Sequence, residues 1–149
     1  MSDSVVDMDR NETLSAFGKN YCLKHIRLVR DFCFRAAEAL AKKDLNASNF
    51  LLDRAYRIVK GISPFCRYAN PKDRQFFIQI RERLAKFFYP SKPDFSNISA
   101  VKNWIEEIII ETIDIEKNLL GISFAQLSQK VLVENNWQTF DYLKRRGNE

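Results

Sequence analysis

Cys22 and His25 stand three residues apart, a spacing at which two side chains on one helix meet. A thiolate paired with an imidazole is a nucleophile. Cys22, however, recurs in register with apolar residues, and no acid is placed to orient the imidazole, so the pair reads as a buried thiol beside a histidine. His25 is the single histidine of the sequence. This excludes metal sites that need two, such as HExxH. Three cysteines, Cys22, Cys33 and Cys66, with no CxxC spacing form neither a zinc site nor a disulfide framework. The four glycines, Gly18, Gly61, Gly121 and Gly147, are too dispersed to make a loop that cradles phosphate. No cofactor and no catalytic activity are expected.

Glu107, Glu111 and Asp114 fall on one flank of a helix. Glu111-x-x-Asp114 resembles half of the metal-binding pattern of the all-alpha nucleotide pyrophosphatases. Those enzymes complete a magnesium site with a second pair, ExxE, on a facing helix. No ExxE occurs here, so the acids are expected on a solvated face or opposite basic helices. Ser123 to Gly147 is similar in outline to a helix-turn-helix. A recognition helix needs polar and basic residues at its N-terminal end. Trp137 holds that place, and the bases Lys144, Arg145 and Arg146 stand at the other end. Residues 36–62, with alanines at 37, 41, 47 and 55, resemble one tetratricopeptide hairpin, but a solenoid needs about three.

Aromatic and basic residues interleave in Phe65-Cys66-Arg67-Tyr68, then Lys72 and Arg74, then Lys86 to Tyr89 and Lys92. Bases stack above a phosphate-binding groove on such patterns. The phenylalanines here keep core spacing, which leaves Tyr68, Tyr89 and Phe95 as surface stackers. Arg67, Tyr68, Lys72, Arg74, Lys92, Lys144, Arg145 and Arg146 are therefore the candidates for binding nucleic acid or an acidic partner.

Helices must position these groups. Cys22, Ile26, Val29, Cys33, Ala36 and Leu40 make one stripe of a first helix, from Ser15 or Asn20 to Lys43. Lys24, Arg27, Asp31, Arg35, Glu38 and Lys42 are assigned to its opposite, polar face. Asp44 or Asn46 can cap a second helix over 47–60, with Gly61 just past its end. Asn70-Pro71 starts a third helix running to Tyr89, stopped by Pro90 and Pro93. A fourth helix, from Ile98 or Ser99 to Leu120, carries the seam Val101, Ile105, Ile108, Thr112, Ile115 and Leu119. Ile109, Ile113 and Leu120 widen that stripe, so the helix is either central or has a second partner. Trp104, Ile108, Ile115 and Leu119 are accordingly the expected protein interface. Ser123 to Gln126 is a capping box that opens a fifth helix, with a possible break at Asn135-Asn136.

Over 149 residues, 46% hydrophobic and 29% charged, these elements describe an all-α, four- to five-helix, mainly antiparallel bundle. Residues 1–13 read as a short, flexible, acidic tail and 14–149 as one domain. The net charge of +5 is unevenly spread: residues 19–93 carry 17 bases and six acids, and 94–121 two bases and six acids. The most apolar run, Trp104 to Ile115, is interrupted by acids, so no membrane span is expected. With no secretory signal, the setting is expected to be cytoplasmic or nuclear. The functional expectation is a non-catalytic interaction domain, an adaptor or a small subunit with a protein partner. The alternative is a basic accessory subunit that binds single-stranded nucleic acid, or duplex through the C-terminal helices.

Overall fold

A computed structural model describes residues 14–89 and 92–147; the acidic segment 1–13 lies outside the described residues. Among the described residues all regular structure is helical: α1 Ala16–Ala41, α2 Leu45–Lys60, α3 Pro71–Phe88, α4 Ile98–Leu120, α5 Phe124–Val133 and α6 Trp137–Gly147.

Local chemistry fixes these ends. At each N-terminus a side-chain oxygen accepts a backbone N–H two or three residues on, meeting a donor the helix leaves unpaired. Ser15 takes Gly18, Asp44 takes Ala47, Asn70 takes Asp73, and Asn97 takes Ala100. Ser123 and Gln126 form the reciprocal capping box of α5. Gly121 ends α4 in the left-handed conformation at φ 64°. Among the described residues there are six helices, and Asn135, at φ 61°, turns the chain between α5 and α6. The Asn136 amide then donates to the Val131 carbonyl at 2.8 Å, closing α5.

α1 is central. Ser48 Oγ donates to the Ala36 carbonyl at 3.0 Å, and Tyr21 Oη to the Gly61 carbonyl at 3.0 Å, so α2 runs back along α1. α4 also runs opposite to α1, since Arg27 reaches Glu116 and Arg30 reaches Thr112. Trp104 Nε1 donates to the Phe87 carbonyl at 2.7 Å, while Arg83 meets Glu111, which sets α3 against α4. α6 lies on α1 through the Phe34–Tyr142 ring contact and the Gln138–Glu38 hydrogen bond.

Two sequence assignments need correction. Trp104, Ile108, Ile115 and Leu119, expected at a protein interface, are all buried in the chain's own core. The wide apolar stripe of α4 is consumed by α1 and α3, which pack against it. Arg27 is not on a solvated face. It donates to Glu116 Oε2 at 2.7 Å and pairs with Glu134 at 3.5 Å. The same carboxylate receives Arg30 Nη2 at 2.7 Å, and Arg30 Nε donates to Thr112 Oγ1 at 3.0 Å. Arg30 and Glu116 are fully buried, so this is an ion pair inside the core.

Candidate functional site

Asp73, in the first turn of α3, is buried and receives the Ser15 amide at 3.0 Å and the Ser15 hydroxyl. Gly18 lies so close that a Cβ there would meet the Asp73 carboxylate at 2.7 Å. This contact locks the start of α1 beside the start of α3. The segment from Gly61 to Asn70, which leads into α3, is pinned underneath. Ile62, Pro64 and Ala69 point inward, and Tyr21 Oη bridges the Gly61 carbonyl and the Ser63 amide at 3.0 and 3.1 Å. Turn hydrogen bonds from Cys66 to Ser63 and from Ala69 to Cys66 stiffen it further.

On this anchored loop the aromatic rings face outward. Phe65 is 87% exposed and Tyr68 68% exposed. The Arg67 guanidinium lies 5.4 Å from the centre of the Tyr68 ring, within cation–π range. Phe17 of α1 meets the same ring edge-on at 5.9 Å and stacks on Tyr21 at 5.7 Å. Lys72 and Arg74 are exposed at the start of α3, which follows this loop. From Gly61 to Arg74 the sequence carries three bases, all exposed, and one acid, the buried Asp73. The face is thus basic, aromatic and rigidly supported. Exposed aromatics on a pinned loop cost solubility and gain nothing in the core.

Four of the sequence-derived candidates, Arg67, Tyr68, Lys72 and Arg74, come together here; the others do not. Lys92 lies beyond the other end of α3, about 27 Å away along an 18-residue helix. There its ammonium donates to Asn49 at 2.9 Å and covers the Phe95 ring. Lys92 and Tyr89 border a separate cleft of about 430 Å³, floored by Tyr56, Phe88 and Trp104. Lys144, Arg145 and Arg146 are exposed at the end of α6, with Lys144 over Phe140 and Arg145 over Tyr142. Phe17 is absent from the sequence-derived site, and Phe65, though inside the interleaved stretch, is not among its surface stackers. Phe65 was open to recognition, since it falls outside every helical stripe, whereas only the fold brings Phe17 to Tyr68.

The remaining chemical candidates are engaged elsewhere. Burial first, and Asp73 second, push the Cys22 thiol up to about 12, so it is no nucleophile at neutral pH. His25 Nδ1 lies 2.8 Å from the Tyr21 carbonyl. Arg83 clamps Glu111 at 2.7 Å and Asp114 at 3.0 Å, which places these acids opposite a basic helix. Among the described residues no group of three or more His, Cys, Asp or Glu side chains is arranged to hold a metal ion. No helix among them is long and apolar enough to cross a membrane. No protein-family model, curated protein or solved structure matches this chain.

Proposed function

We propose that the chain is a non-catalytic interaction domain, an adaptor or small subunit built on a mainly antiparallel bundle. Its partner is a protein with an acidic surface, bound at the face of Phe17, Phe65, Arg67, Tyr68, Lys72 and Arg74. The exposure of Phe65 and Tyr68 on a loop whose backbone is pinned carries this reading. Aromatic residues and arginine are the types enriched at protein interfaces. A preordered loop loses little further entropy when a partner arrives. The buried, unpaired thiols of Cys22 and Cys33 suit a reducing cytoplasmic or nuclear setting.

The Arg67–Tyr68 stack favours a second reading, in which a nucleic-acid base stacks on Tyr68 and phosphates meet the bases around it. Titration with an acidic peptide and with short single-stranded DNA and RNA, at low and moderate salt, separates the two. An interaction domain binds the acidic peptide and loses it on Arg67→Glu with Lys72→Glu. A nucleic-acid binder holds oligonucleotides with a log–log salt slope of roughly −0.7 per phosphate contact. In that case Tyr68→Ala costs about 1–3 kcal/mol. Binding of neither probe at low salt refutes both readings of this face.

A further inference from the structure

The segment ahead of α1 carries Asp3, Asp7, Asp9 and Glu12 against one base, Arg10, with Val5, Val6 and Met8 between them. It is the chemical complement of the face around Tyr68, acidic where that face is basic and apolar where it is aromatic. It also joins the described chain at that face. Leu14 is buried, and Ser15 is tied to Asp73 between Lys72 and Arg74. Phe17, one turn into α1, touches the Tyr68 ring. Val5 to Met8 lie six to nine residues before Leu14, an extended reach of roughly 20–30 Å.

We propose that residues 1–13 of this chain dock on the basic aromatic face of Phe65, Arg67 and Tyr68 and compete there with the acidic partner. The inference rests on the reading of that face as the partner site and adds its regulation. Attachment at Leu14 gives the segment an effective concentration of about 1 mM at the face. An intrinsic affinity of only about 0.1 mM then weakens an outside acidic ligand about tenfold by occupancy.

The test compares the full chain with a variant carrying Asp3→Asn, Asp7→Asn, Asp9→Asn and Glu12→Gln. A control variant carries Glu106→Gln, Glu107→Gln and Asp141→Asn, which removes similar charge from other faces. Amide NMR spectra at low salt are expected to differ between the full chain and the first variant at Phe17 and from Phe65 to Arg74. The difference should collapse near 0.5 M salt, where screening reaches about 4 Å. Deca-glutamate is expected to bind the first variant about tenfold more tightly than the full chain, with less than a twofold gain in the control. Unchanged resonances at the face overturn the docking. Equal deca-glutamate affinity in all three proteins overturns the competition and leaves the partner-site reading intact. Resonance differences without any deca-glutamate binding uphold the docking and refute the partner-site reading.

Discussion

Glu116 is where the charges of three segments meet. Arg27 and Arg30 approach its carboxylate from α1, and Arg27 carries the link on to Glu134 beyond α5. Burial would raise the carboxyl, but Arg30 and Arg27 together hold it below its ordinary value. Burial also pulls the Arg30 guanidinium down, yet its ordinary value is so high that it stays charged. The pH response of the pair therefore comes from Glu116. The unfolded carboxyl takes its proton near pH 4.3, before the folded one does. Stability from this site is complete above that pH and falls as pH drops toward the lower folded value. Urea midpoints measured from pH 7 to pH 3 should show this loss, and Glu116→Gln should lack it. Glu116→Ala leaves Arg30 buried without its counter-ion and should cost about 3–5 kcal/mol. Arg30→Met combined with Glu116→Leu should recover most of that cost in the same denaturation experiment, because an apolar pair needs no desolvation.

At the scale of elements, two junctions set the architecture. The first joins the starts of α1 and α3 through Ser15, Gly18 and Asp73. Gly18→Ala drives a methyl into a carboxylate that two hydrogen bonds hold in place, so either the carboxylate gives up those bonds or the helices shift apart. A loss of about 1–3 kcal/mol is expected from overpacking, read as a lower thermal midpoint. The second is α4, which packs between α1 and α3. Ile108 is fully buried there, and Ile108→Asp should unfold the monomer, followed by loss of the helical circular dichroism signal at room temperature. A folded Ile108→Asp monomer would show that Ile108 does not belong to the core seam of α4.

For the whole molecule, charge is sorted into two uses. Part of the basic excess is spent internally, where Arg27, Arg30 and Arg83 neutralise the acids of α4. Arg67, Lys72 and Arg74 stay outside, around the α2–α3 loop. Reversing Arg67, Lys72 and Arg74 to Glu should therefore abolish acidic-peptide binding while shifting the thermal midpoint by no more than a few degrees. Among the described residues none of the three makes an ion pair, and surface substitutions of this kind change stability by about 0.5 kcal/mol or less. Calorimetric titration and a thermal melt of the same sample check both halves.

Helix positions were legible in the sequence because they depend on neighbours within a few residues. The cap at Asn70 with Pro71, the capping box of Ser123 and Gln126, and Gly121 after α4 act locally, and the structure keeps each of them. The buried ion pair was legible too, though it was not read: Arg30 is four residues from Ile26 and three from Cys33, and Glu116 is four from Thr112 and three from Leu119. Opposite charges set in two apolar stripes mark a pair that must meet, since neither can be buried alone. Tertiary structure alone decided the fate of α4. A stripe wide enough for two neighbours looks the same whether the second is another protein or another helix of the same chain, and here α1 and α3 take both places. It alone also decided that Phe17 joins Tyr68 while Lys92 and Lys144 to Arg146 stand apart. Sequence spacing orders residues along one helix, but which helix ends lie side by side follows from how the buried faces pack.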